Sequence, residues 1–268
     1  SHSSGEVSGK NNIGGLAGHN PCGGNITESY SSSNVIGESG VGGLAGRDTG
    51  FVYRSFASGS VSGIINVGGL VGLKQENIEN SYATGNVTGE TNVGGLVGYN
   101  EGNSSVIKSF ATGNVMGAIS VGGLIGKVDQ YSFGTYNSFS TGGVSGDEFV
   151  GGLIGANNNI TIVNGYFNNH EGNPNVISGD GTGFGTIIDD DQSYFYDINN
   201  LPMSLWERSV WRQGINTYPT LIWELLGSEG DCDRDGDIDF RDYITLKKHF
   251  GHNDVNWLDG DFNNDNVV

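Results

Sequence analysis

Asn66–Gly72 reads NVGGLVG, and the same seven residues return at Asn92–Gly98. Four variants complete the series: IGGLAG from Ile13, VGGLAG from Val41, and VGGLIG from Val121 and again from Val150. Counted from the first branched residue of each, the intervals are 28, 26, 26, 28 and 29 residues. Between these phrases sits a second one: ESYSSSNVIG from Glu28, RSFASGSVSG from Arg54, NSYATGNVTG from Asn80, KSFATGNVMG from Lys108 and NSFSTGGVSG from Asn137, with a partial copy GEVSG from Gly5. A fixed period of this length is the signature of a stacked repeat. Each unit is rich in Val, Thr, Ser, Tyr and Gly and poor in helix formers, so it predicts two or three short strands with glycine corners.

A unit this short cannot bury its own apolar face, whereas units stacked at the ~4.8 Å strand spacing share one continuous core. The expected architecture is an all-β solenoid, a parallel β-helix of about six coils. Gly68, Gly69 and Gly72 are then expected at a corner that needs positive φ or close backbone approach in every coil. Stacking also builds columns. Tyr30, Phe56, Tyr82, Phe110 and Phe139 fall in one; Glu28, Arg54, Asn80, Lys108 and Asn137 fall in another, two residues earlier. The mixed charges predict a solvated column in which Glu28 and Arg54 are neighbours. Strict alternation would place the aromatic column outside as well, unless the chain bends between the two.

Composition bounds the partners. The net charge is −18, with only 12 Lys plus Arg in 268 residues, which excludes the clustered cations a nucleic-acid surface needs. Cys22 and Cys232 form no C-x-x-C or Cys/His cluster, so neither zinc nor a disulfide framework is indicated. No apolar run approaches a membrane span. The opening SHSSGEVSG carries neither an initiator Met nor a signal peptide, so the chain reads as an excerpt of something longer.

The combination of GGLVG, GGLIG and NSYATGNVTG resembles the GLUG-repeat family of bacterial secreted and cell-surface proteins, over roughly residues 5–167. The resemblance implies a surface-exposed array, often in adhesin-like proteins, with no catalytic residues in the repeat. Beyond Phe167 the period fails. Trp206, Trp211, Tyr218, Leu221 and Trp223 then offer a large apolar payload where a solenoid end would expose strand edges, which predicts an aromatic cap. Trp211, Gly214, Tyr218, Pro219, Leu221 and Trp223 are similar to the closing segment of GLUG arrays. The run Asp189–Asp191 reads as a solvated loop.

The strongest chemical motif is DCDRDGDIDFRD, Asp231 to Asp242. Asp231, Asp233 and Asp235 occupy positions 1, 3 and 5 of a calcium loop, Gly236 the sharp turn, the Asp237 carbonyl position 7, Asp239 position 9 and Asp242 position 12. Ca²⁺ takes six to eight hard oxygens, and alternate side chains of a tight loop converge to supply them. A short amphipathic helix is expected next, with Tyr243, Leu246 and Phe250 on one face. A second loop begins at Asp261, with Asn263 and Asp265 at positions 3 and 5, and the sequence ends at Val268 before positions 9 and 12. The pattern resembles a truncated type I dockerin, a small helical, EF-hand-like calcium module. That resemblance implies calcium-dependent folding and a cohesin partner, although Phe240 and Arg241 stand where cohesin-binding members carry a Ser/Thr pair.

The domain division expected is a repeat solenoid over 1–172, a capping segment over 173–226 and a calcium module over 227–268. The function that follows is a non-enzymatic, extracellular or cell-surface protein presenting a binding or structural surface to a polysaccharide or protein ligand. The alternative is an accessory or catalytic part of an extracellular polysaccharide-degrading β-helix enzyme. It would need paired carboxylates on one face. Glu38 and Glu90 follow equivalent glycines two coils apart, with Ile64 between them and no Lys or Arg expected in that column. A third reading, an ice- or mineral-binding face, meets only the partial ladder of Thr84, Thr112 and Thr141, interrupted by Ser32 and Ser58.

Overall fold

The structure, a computed structural model, describes residues 1–21, 23–158, 160–168, 173–174, 176–180, 192–214 and 217–225. It comprises two compact units, Ser1–Trp206 and Glu207–Val268. The first is a parallel β-solenoid. One coil contains five short strands, Val52–Tyr53, Phe56–Ala57, Val61–Ser62, Ile65–Gly68 and Val71–Lys74. Each pairs in parallel with its counterpart in the coils before and after, giving one seven-stranded and four six-stranded sheets. The register is that of the repeat: Val41, Val67, Val93, Val121 and Val150 are successive partners in one column.

The interior falls into two apolar columns. Val35, Val61, Val87 and Val115 on the third strands face Val41, Val67, Val93 and Val121 on the fourth. The larger column stacks Leu44, Leu70, Leu96, Leu124 and Leu153 against Val52, Ile78 and Val106 of the first strands and Ala57, Ala83 and Ala111 of the second. Burying each such branched side chain contributes roughly 1.5–3 kcal/mol, so the array is held by the sum over rungs.

The phrase glycines keep these columns in contact by having no side chain. A Cβ on Gly69 would lie 2.0 Å from the Gly95 carbonyl oxygen and 2.9 Å from Ala83 Cβ; one on Gly72 would lie 2.4 Å from Val41 N. Of the two reasons a glycine corner was expected to serve, close approach is the one that operates. Positive φ belongs instead to the residue before the branched one in each copy: Asn12, Gly40, Asn66, Asn92, Ser120 and Phe149 have φ between 52° and 63°. Asn tolerates that conformation and a bulky residue does not. Phe149, with φ 53° and 47% exposed, is therefore misplaced. Phe149→Asn is expected to raise stability by about 1 kcal/mol, read as a Tm increase of a few degrees by calorimetry; a lower Tm would show that the phenyl ring supplies more than it costs.

The aromatic column and the mixed-charge column are separated by the bend that alternation alone could not supply. Glu28, Arg54, Asn80, Lys108, Asn137 and Asn164 have φ between 46° and 52°. A serine turned inward follows each of the first five, Gly165 taking its place after Asn164, and Ser55, Ser81, Ser109 and Ser138 are wholly buried. Ser55 Oγ donates to the Tyr53 carbonyl and accepts from Ser29 N, and the same pair of bonds recurs at Ser81 and Ser109. The rings beyond stack face to face: Tyr30 on Phe56, Phe56 on Tyr82, Tyr82 on Phe110 and Phe110 on Phe139, with centroids 4.8–4.9 Å apart. Exposure falls along the column, from 39% at Tyr30 to 1% at Phe139. Trp206 stacks on Phe139 at 5.7 Å, and its Nε1 donates to the Asn164 carbonyl. Glu28 and Arg54 are neighbours as expected, 3.7 Å apart, but Asn80 in the same column is buried.

In the second unit Trp211–Arg212 pairs antiparallel with Thr220–Leu221, and a 3-10 turn follows at Ile222–Leu225. Trp211 and Leu221 are buried.

Candidate binding face

The unequal repeat lengths have a single structural origin. From the first strand to the phrase valine every coil advances by 15 residues: Ile26 to Val41, Val52 to Val67, Ile78 to Val93, Val106 to Val121 and Thr135 to Val150. The differences lie in the turn that leads from the fifth strand into the next coil. Counted up to the first-strand position held by Val52, it has three residues at 49–51 and 75–77, five at 21–25 and 101–105, and six at 129–134, Ser105 and Gly134 already pairing as strand. In stacked repeats such insertions gather on one side, which is often the side that binds.

Beneath these turns runs a column of inward polar side chains: Asn20, Asp48, Lys74 and Asn100, in register. Asn20 Nδ2 donates to the Gly24 carbonyl at 2.6 Å, Lys74 Nζ to the Gly50 carbonyl, and Ser104 Oγ to Asn100 Oδ1 at 2.8 Å. Burial lowers the pKa of Lys74, and the Asp48 carboxylate opposes that shift. Alternation from the inward Val71 would carry Leu73 inward and Lys74 outward. The chain does the reverse, with Leu73 half-buried and Lys74 wholly buried, so its polar head must be satisfied inside.

Outside, the first-strand sheet aligns Thr27, Tyr53, Glu79, Ile107, Tyr136 and Val163. Aromatic groups lie toward both ends of it. Phe51 stacks on Tyr53 at 6.1 Å, with the Arg54 guanidinium 5.2 Å over the Tyr53 ring. At the other end Tyr131 and Phe133, on the longest turn, are 62% and 61% exposed, and Tyr136 Oη donates to the Phe133 carbonyl at 2.9 Å. Tyr53 and Tyr136 are three rungs apart, about 14 Å at ordinary strand spacing. Between them lie the polar pairs Glu79–Lys108 at 3.7 Å and Gln75–Glu101 at 3.0 Å. Flat rings flanking hydrogen-bonding groups on a fixed sheet can stack on sugar rings and hold their hydroxyls.

The other expected sites have different outcomes. The calcium ligands Asp231, Asp233, Asp235, Asp237, Asp239 and Asp242, and the second loop at Asp261, Asn263 and Asp265, lie outside the described residues, as do Asp189–Asp191, Cys22 and Cys232. Among the described residues no group of three or more His, Cys, Asp or Glu is placed to hold a metal ion. Glu38 and Glu90 do sit two rungs apart with Ile64 between them, because Ile64 N donates to the Glu38 carbonyl and Glu90 N to the Ile64 carbonyl. The expectation of no cation in their column is wrong. Lys10 is its first member, with Glu38 N bonded to its carbonyl and the two side chains 3.9 Å apart. The equivalence was hidden because GEVSGK, the first copy of the second phrase, is incomplete.

Comparison with known proteins agrees with the coil assignment. The family model described as the GLUG motif matches residues 63–88 and 89–116. Each match spans one turn of the solenoid. These two coils match the GLUG motif. The GLUG period thus runs from the end of the third strand to the third strand of the next coil. Among curated proteins nothing matches. Among solved structures the chain is similar to one described as "a putative immunoglobulin A1 protease from Bacteroides ovatus", with a TM-score of 0.51 and 18% identity over 81% of this chain and 75% of that one. At that identity the likeness is one of fold.

Proposed function

We propose that this chain belongs to a non-enzymatic repeat protein of the cell surface or extracellular space, whose GLUG coils present a face for a neutral polysaccharide. Its acidic tail serves as a calcium-stabilised, dockerin-like assembly module. The observation that carries the reading is the gathering of the variable turns and two separated aromatic groups on one side of an otherwise uniform array. The net charge of −18 opposes an anionic polymer and leaves a neutral one as the fitting ligand. A rigid parallel sheet holds its rings in place before binding, so little ordering entropy opposes association.

Affinity electrophoresis of the purified chain through gels containing neutral β-glucan, xylan or alginate tests this. Retardation is expected in a neutral gel and not in alginate. Tyr53→Ala and Tyr136→Ala are each expected to weaken binding about 5- to 10-fold, as the loss of one stacking contact of roughly 1 kcal/mol implies. Retardation unchanged in the double variant would remove the face from consideration, and mobility unaffected by every glycan would overturn the polysaccharide reading.

A further inference from the structure

Lys74 is the one basic side chain among the described residues that is wholly buried. It does not reach solvent. Its Nζ donates to Asp48 Oδ2 at 2.5 Å, and neither side chain exposes any surface. The other carboxylate oxygen, Asp48 Oδ1, accepts from Asn20 Nδ2, also at 2.5 Å. The Gly50 carbonyl accepts a second hydrogen of Nζ. An amine and a carboxyl group are thus held against each other in a dry core, with an amide donor on the far carboxyl oxygen and an acceptor on the amine.

We propose that Lys74 and Asp48 form an intramolecular cross-link, in which the Lys74 amine condenses with the Asp48 carboxyl to give a side-chain amide and one water. The reaction needs no oxidant, reductant or activated co-reactant. An ammonium and a carboxylate in water do not react, because the ammonium has no lone pair and both ions are well solvated. Here neither side chain exposes any surface, and a proton passing from Nζ to Oδ2 across their contact exchanges the ion pair for a neutral amine beside a neutral acid, which removes two charges from the interior. The Nζ lone pair then attacks Cγ, and the Cγ–Oδ1 π electrons move onto Oδ1, where the Asn20 N–H holds the developing charge. Nζ loses a proton to Oδ2. The Cγ–Oδ2 bond breaks, Oδ2 departs as water, and the carbonyl reforms at Oδ1. Fixed contact replaces a bimolecular encounter, which is the largest obstacle to amide formation between dilute groups. The product is neutral, so two buried charges are exchanged for one amide already flanked by a donor and an acceptor.

The link would join neighbouring rungs directly beneath the turn that carries Phe51. The order of residues in the column is what permits it. Asp48, Lys74 and Asn100 are successive partners, and only this pair sets an amine beside a carboxyl group in that column.

Intact mass spectrometry of the denatured chain decides the matter. The expected mass is one water below that of the sequence, and trypsin should release one branched peptide joining the segments that contain Lys74 and Asp48, with no cleavage after Lys74. Lys74→Arg is expected to carry the full sequence mass, a readout that does not depend on how well the variant folds. Asp48→Asn is the informative substitution: the same attack now expels ammonia, so the mass should fall by one ammonia instead, with the branched peptide retained. A wild-type chain of full sequence mass, folded by circular dichroism, would overturn the proposal and leave an ion pair. So would a loss of water that persists in Lys74→Arg or that maps to any peptide other than the branched one.

Discussion

A valine at Gly69 is expected to destroy the cooperative unfolding transition of the coils, and even alanine there should lower Tm by about 10 °C or more, equivalent to ~3 kcal/mol for a unit of this size. The reason is space alone. The first side-chain atom would sit 2.0 Å from the Gly95 carbonyl oxygen, which is backbone of the next rung, and 2.9 Å from Ala83 Cβ. Neither neighbour can swing aside as the end of a long side chain could. Relief would require the coil to move off its neighbour, breaking the column through Leu70 and Leu96 on either side. A substitution at Ser58, exposed and in the same coil, is the control and should change stability by no more than ~0.5 kcal/mol. Circular dichroism melts of Gly69→Ala and Ser58→Ala settle it; equal Tm values would mean that the close approach is not what the phrase is for.

Calcium titration should give one strong heat signal, and Asp233→Ala with Asp235→Ala should remove it entirely. This rests on the sequence of the tail. Asp231, Asp233, Asp235, Asp239 and Asp242 put four or five carboxylates around two positive charges, so the empty loop repels itself and the ion offsets that repulsion. The second loop offers only Asp261, Asn263 and Asp265, too few oxygens for a cage on their own. Mg²⁺ should compete weakly, since a flexible loop of many ligands suits the larger ion. No heat above buffer in the wild-type chain, or a full signal in the double variant, would refute the assignment.

Strand columns were legible in the sequence because the repeat superposes itself: once Val67, Val93 and Val121 share a position, their pairing is forced. What alternation could not give was the backbone between the columns. Nothing in Glu28 or Arg54 announces a left-handed conformation, and only the constant serine that follows them in ESY, RSF, NSY, KSF and NSF hinted that one hydroxyl does the same work in each coil. The polar column under the turns was not readable in this way, because alternation from the inward Ala17, Ala45, Val71 and Val97, three places earlier, would turn Asn20, Asp48, Lys74 and Asn100 outward. The candidate binding face was the least visible. Its aromatic residues come from turns that break the period, and Phe51, Tyr131 and Phe133 therefore never aligned with one another.

Because the coils differ only in the turn, the array behaves as a ruler with fixed graduations. Copying one 26-residue coil between Tyr53 and Tyr136 would lengthen their separation by a single strand spacing and leave the cross-section, the serine bonds and the valine register as they are. The length of the face can thus be reset in whole steps by duplication or deletion, while its chemistry is changed independently at the exposed turn positions such as Tyr131 and Phe133.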